Sequence, residues 1–204
     1  MKCRTPDKMT QEINSPPGNC QVRTGLKGDG KYCMPTRVMD YIDVAARAEE
    51  LGCRVPVGIA LLPGNFPTAA STSELRYHEA APQVRSAWRS IGLVDAGPAR
   101  MTCPTTPRGP DASCRPTPLA VFFGAGLLSG PALLVTLALG AVAAVLTERP
   151  GCASSREIRF DAVVERPNRG GYACLEYYGD PCELVTLARS VREIWTDRQE
   201  TDGG

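Results

Sequence analysis

The sequence predicts an α+β protein with a small N-terminal α/β region, one long apolar helix kinked near Pro131, and a C-terminal ββα unit. Three observations carry that prediction. Leu119–Leu146 is a continuous uncharged apolar run of 28 residues. Residues 37–62 pass from a helical apolar spacing to a short β-branched run. Residues 156–196 combine period-two alternation, a turn and a capped amphipathic stretch whose local signals agree with one another.

Residues 1–36 mix Pro, Gly, Asn, Cys and charges without periodicity, and read as an irregular or disordered head. All four Lys (Lys2, Lys8, Lys27, Lys31) lie there, and every later cation is Arg. That break in composition suggests a translation start near Met34 or Met39, an idea that a native peptide spanning Cys3–Lys27 would end. The head has no apolar core of the kind a cleavable signal peptide needs, so any membrane targeting falls to the later apolar run.

In the α/β region, residues 37–92, Val38, Tyr41, Ile42, Ala45 and Ala48 follow a 3–4 spacing and predict a helix over 37–51, with Gly52 as its C-terminal stop. Arg54–Leu62 reads as a buried strand ended by Pro63–Gly64–Asn65. Ser71-x-x-Glu74 has the capping-box pattern and predicts a short helix through Glu79. Pro82 opens a further helix with Val84, Trp88 and Ile91 on one face and Gly92 as stop. Residues 93–118 are Pro-rich and read as a linker.

Within 119–146 the only residues that are not hydrophobic are four Gly, Ser129, Pro131 and Thr136. A membrane crossing takes about 20 apolar residues, so the run is long enough to span, with a kink at Gly130–Pro131. That reading is preferred, and it makes membrane lipid a partner and the localisation single-pass membrane. The rival reading is a buried soluble core, in which Leu119–Phe123 is a strand and Pro131 starts a 16-residue helix. Arg100, Arg108 and Arg115 precede the span, and Arg149, Arg156, Arg159 and Arg166 follow it, which tips the tail weakly towards the cytoplasm.

In the tail, Ile158–Glu165 alternates as a half-buried strand, Arg166–Gly171 turns, and Tyr172–Tyr178 is a second strand. Asp180-Pro-Cys-Glu183 joins an N-cap acid to a first-turn Pro. Leu184, Leu187, Ala188, Val191 and Ile194 then form a helical stripe, and residues 197–204 read as a disordered end.

No pattern in the chain points to a reaction. The net charge is +1, with no clustered basic stretch, which argues against a nucleic-acid partner. The nine cysteines include no C-x-x-C pair, and the expectation is scattered reduced thiols; a bridge such as Cys103–Cys114 or Cys174–Cys182 would need an oxidising compartment. His78 is the only histidine and lacks the second histidine of a zinc-hydrolase motif. Gly124-Ala-Gly126-x-x-x-Gly130 superficially resembles a dinucleotide-binding turn, but no second strand with a terminal acid follows, because the chain runs apolar straight to Glu148, so no cofactor is expected. Gly126 and Gly130 instead suggest a helix–helix contact and a homo-oligomer formed through the apolar helix. Arg166, Arg169, Tyr172 and Tyr177 form a candidate interaction surface for an unidentified protein partner. No catalytic or metal residue is assigned. The sequence thus predicts a non-enzymatic single-pass membrane protein acting as an interaction or accessory module. The alternative is a soluble α/β protein with 119–146 as its buried core, an accessory subunit or small enzyme of unknown reaction.

Overall fold

In the computed structural model, which describes residues 36–98, 118–148, 157–167 and 170–196, the apolar run is divided between a sheet and the helices that cover it. Strand β3 takes Leu119–Phe123, a single turn of helix α3 takes Ala125–Leu128, and helix α4 takes Ala132–Thr147. The remaining strands are β1 (Thr36–Tyr41), β2 (Ile59–Leu62), β4 (Ile158–Glu165) and β5 (Tyr172–Gly179). The remaining α-helices are α1 (Val44–Glu50), α2 (Ala81–Ser90) and α5 (Leu187–Thr196). The five strands form one sheet in the order β1-β5-β4-β3-β2. Only β3 and β4 run parallel; the other neighbours are antiparallel.

This arrangement corrects the predicted long kinked helix and the single-pass membrane localisation drawn from it. No helix among the described residues is long and apolar enough to cross a membrane. The 16 residues of α4 reach about 24 Å at ~1.5 Å per residue, short of a hydrocarbon core of about 30 Å. Pro131 kinks nothing. It has extended backbone (φ −56°, ψ 138°) immediately before α4 and separates it from α3. The long run is apolar for a different reason. All five residues of β3 are buried, because helices cover one sheet face and α1 with its following loop cover the other. A strand sealed on both faces shows no alternation. α4 then adds Val135, Ala138, Leu139, Val142, Ala143 and Leu146 to the same core.

The predicted division into a separate α/β region and a ββα unit is corrected as well. β1 and β2 flank the same sheet whose middle is β3, β4 and β5. The predicted helix over 37–51 is β1 followed by α1. Its 3–4 spacing coexists with a period-two pattern in which Arg37, Met39 and Tyr41 share one face, and pairing with β5 selects the latter. Asp43 then caps α1 by accepting from Ala46 N at 3.0 Å, and Gly52 follows it in the left-handed region (φ 64°). The Ser71-x-x-Glu74 box yields only a single 3-10 turn, Thr72–Glu74, because the Glu74 carboxylate accepts from Ala70 N (2.9 Å) and Ser71 makes no side-chain cap. The expectations for residues 1–35, 99–117, 149–156, 168–169 and 197–204 lie outside the described residues.

One sheet face packs under α2, α4 and α5. Ile59, Leu61, Val121, Phe123, Phe160, Ala162, Leu175 and Tyr177 supply its floor. Trp88 of α2 is fully buried and donates from Nε1 to the Ala138 carbonyl of α4 at 3.0 Å, which fixes the two helices to each other. The other face holds Ala60, Leu62, Ala120, Phe122, Val163 and Cys174 beneath Val44, Ala48, Phe66 and Leu75.

Each edge strand is treated differently. Beyond β2, residues 93–97 close the edge: Ala96 N donates to Ile59 O (3.0 Å), and Asp95 Oδ1 accepts from Leu61 N (2.9 Å) and Gly97 N (3.0 Å). Arg85 of α2, which is buried, pairs with the same half-buried carboxylate. The first residues of the predicted linker are therefore part of the fold.

Two outcomes follow for urea denaturation. Asp95→Ala leaves Arg85 buried without its counter-ion and uncovers Leu61 N; a loss of about 3–5 kcal/mol is expected, and a loss within experimental error would contradict the edge-closing role. Gly124→Ala places a Cβ 2.9 Å from Phe122 Cε1 and 3.0 Å from Gly58 N, where Gly124 N already donates to Gly58 O at 2.6 Å. A loss of about 1–3 kcal/mol is expected, and an unchanged midpoint would contradict the close approach.

Candidate functional site

Strand alternation places polar side chains in one stretch of the sheet face that α1 partly covers. From β4, Arg159, Asp161 and Val163 share this face; from β5, Tyr172, Cys174, Glu176 and Tyr178 do. The register sets Asp161 opposite Glu176 and Arg159 opposite Tyr178. Arg37 of β1 lies opposite Glu176 on its other side, and Ala120 of β3 lies beside Asp161. A polar row therefore crosses the sheet as Arg37, Glu176 and Asp161, and then becomes apolar at Ala120 and Leu62.

Arg159 links the two carboxylates. Its Nε lies 3.4 Å from Asp161 Oδ1 and its Nη2 lies 3.0 Å from Glu176 Oε1. The guanidinium also sits 5.6 Å from the centre of the Tyr178 ring. Asp161 is only 9% exposed, which makes it one of two buried charged residues among those described. Burial pushes its carboxyl up from the ordinary aspartate range, and the neighbouring Glu176 adds to this, while Arg159 pulls the other way without cancelling it. For Arg159 burial opposes the charge, but Asp161, Tyr178 and Glu176 outweigh it and hold the guanidinium protonated.

The same surroundings quiet the neighbouring acids. Burial raises the Tyr41 phenol, reinforced by Cys174 and Asp161. Burial together with Asp161 and Glu176 pushes the Cys174 thiol up to about 12. A thiol held protonated in this way is a poor nucleophile. Asp161 thus sits among Arg159, Glu176 and Tyr178 with its carboxyl held above the ordinary aspartate range.

The residues singled out in the sequence fall elsewhere. Gly126 is exposed within α3 and Gly130 lies between α3 and α4, so no continuous helix carries the pair. The glycine turn does follow a strand, and β4 is the second parallel strand that the sequence seemed to lack, ending in the acid Glu165. It went unrecognised because the crossover between β3 and β4 runs from Gly124 to Glu157. Yet Glu165 Oε2 accepts from Ala125 N at 2.7 Å. The turn's amide, where a phosphate would bind in a dinucleotide site, is already taken by the chain's own carboxylate.

Arg166 Nη2 donates to Asp40 Oδ1 (2.8 Å) and to Tyr172 O (3.2 Å), tying the β4–β5 hairpin to β1. Tyr172 packs its ring 6.1 Å from that of Phe122 on the α1 side. Tyr177 points to the opposite face, fully buried, with Oη 2.9 Å from Asp180 O and 3.1 Å from Glu183 Oε2. These described members do not converge on one surface, and Arg169 lies outside the described residues. His78 Nδ1 accepts from Ala80 N at 3.0 Å in the turn that opens α2. Cys53 and Cys174 carry free thiols, so Cys174 is not bridged to Cys182; Cys103 and Cys114 lie outside the described residues.

The sequence did contain one signal for the polar row. Arg159 and Asp161 occupy alternate positions of a strand read as half-buried, and they pass for its solvated face until β5 is seen to bring Glu176 and Tyr178 beside them and Asp161 is found buried. Compared with known protein families, with curated proteins and with solved structures, the chain matches none.

Proposed function

We propose that this chain is an α/β protein with Leu119–Leu146 as its core, and that it works at the Arg159–Asp161–Glu176 row as a binding site for a small polar ligand bearing hydroxyl or amine donors. The observation that supports this reading is the sharing of one guanidinium between two carboxylates, one of them buried. Two carboxylates offer about four lone-pair sites each, more than Arg159 satisfies alone. Donors on a ligand complete the set, beside a carboxyl that burial holds above the ordinary aspartate range. A small enzyme doing acid–base chemistry and an accessory binding subunit both fit this arrangement.

A second reading, in which the row only stabilises the sheet, is favoured by Arg159 already touching both acids. Backbone amide NMR separates the two. Titration near neutral pH with a panel of small amines and polyols is expected to shift residues 159–161 and 174–178, and Asp161→Asn is expected to abolish the shifts. A panel that leaves those residues unmoved, or moves them equally in Asp161→Asn, supports the purely structural role.

The pH dependence tests the state of Asp161 independently of any ligand. Its carboxyl is raised in the folded chain, so the folded state binds more protons between the ordinary aspartate range and the raised value. Its favourable contribution is complete below that window and is lost as pH rises through it. The stability of the wild type minus that of Asp161→Asn is expected to fall across the window and to be flat on either side. A difference that grows with pH would show a depressed carboxyl and contradict the account.

A further inference from the structure

Arg159 is the second residue of β4 and Tyr178 the last but one of β5, and the register sets them directly opposite each other at the end of the hairpin. A long arginine side chain at a strand end has rotamers that lead out to water, and fixing one of them costs conformational entropy. Arg159 nevertheless turns back along the sheet to Asp161 and Glu176. Its contact with Asp161 is long, 3.4 Å, and its side chain is still 29% exposed, so the two acids alone do not enclose it. Tyr178 supplies a further wall, with its ring centre 5.6 Å from the guanidinium. A flat, weakly hydrated guanidinium stacks well on an aromatic face, whose quadrupole attracts the cation. The same device accompanies the Arg85–Asp95 pair, where the Arg85 guanidinium lies 4.8 Å from the centre of the Tyr77 ring.

We infer that Tyr178 is a positioning residue: its ring holds the Arg159 guanidinium between Asp161 and Glu176, and so an aromatic residue outside the carboxylate pair governs the charge of the row. The role rests on the reading of this row as a binding site, since what Tyr178 governs is the charge that a ligand meets there. The groups facing Asp161 are Arg159 on its own strand, Glu176 and Cys174 on β5, and Tyr41 on β1, with Ala120 beside it on β3. Arg37 stands one strand further away, opposite Glu176. Arg159 is the one cation in that immediate set, so a guanidinium released from the ring is felt at Asp161 as a lost counter-charge. The ring face does this work, and the Tyr178 hydroxyl does not enter it.

The test is a carbon-detected NMR titration of the Asp161 carboxyl in the full chain and its variants. Tyr178→Phe keeps the ring face and is expected to titrate with the wild type. Tyr178→Leu keeps apolar bulk without a ring, and the Asp161 carboxyl is expected to rise by about half a pH unit or more. Arg159→Gln is expected to raise it further. Adding Tyr178→Leu to Arg159→Gln is then expected to change nothing more, because the ring has no cation left to hold. Tyr178 is 43% exposed, so its variants should keep the wild-type fold, and the Phe and Leu variants decide the matter by themselves if Arg159→Gln does not fold. A carboxyl that stays in place or falls in Tyr178→Leu overturns the inference. So does an equal rise in Tyr178→Phe, and so does a Tyr178→Leu effect that persists undiminished beside Arg159→Gln. Failure of the binding reading is a separate result: a ligand panel that leaves the row unmoved removes the site, while the titration still shows whether Tyr178 holds Arg159.

Discussion

The structure depends on the parallel pairing of β3 with β4. A parallel pair cannot be closed by a tight turn, so the chain must leave the sheet after Phe123 and return at Ile158. That excursion includes α3 and α4, and it brings the most apolar of the described helices across the sheet it has just left. With α2 and α5 beside it on one face and α1 with Phe66 and Leu75 on the other, β3 is sealed on both sides. Fully burying a Leu, Val or Phe side chain contributes about 1.5–3 kcal/mol, and β3 buries four such side chains within five residues.

The same pairing locates the polar row. β4 has β3 on one side and β5 on the other, so Asp161 stands between an Ala and a Glu on a central strand rather than at an edge. Burial there disfavours its charge, and Arg159 from the same strand offsets part of that cost. On the opposite face, the neighbouring strand positions hold Phe160, Ala162, Leu175 and Tyr177 in continuous apolar packing. One hairpin, β4–β5, therefore supplies both part of the core and most of the candidate site.

Much of the local structure was legible in the sequence, while the way the pieces join was not. Pro82 and Gly92 bracket α2 as expected, Asp180 caps the turn before α5 through Cys182 N at 2.9 Å, and alternation marks β4. These signals act within a few residues and need no distant partner. The β1 segment was misread because Val38, Tyr41 and Ile42 satisfy a helical spacing and only pairing with β5, far along the chain, decides otherwise. The apolar run was misread because length and hydropathy do not distinguish a lipid-facing helix from a strand and helix that bury each other. Pro131 was the pertinent clue: it stands at the start of α4, where Pro costs little, and not within a helix. The candidate site was illegible for a related reason, since the meeting of Asp161 with Glu176 is fixed by hairpin register and not by any motif.

Backbone 13Cα and 13Cβ chemical shifts across 119–147, recorded without detergent, test the central claim most directly. The account predicts extended-strand shifts for Leu119–Phe123, a break at Ser129–Pro131, and helical shifts from Ala132 to Thr147. Uninterrupted helical shifts from Leu119 to Leu146 would contradict it and return the segment to a single long helix.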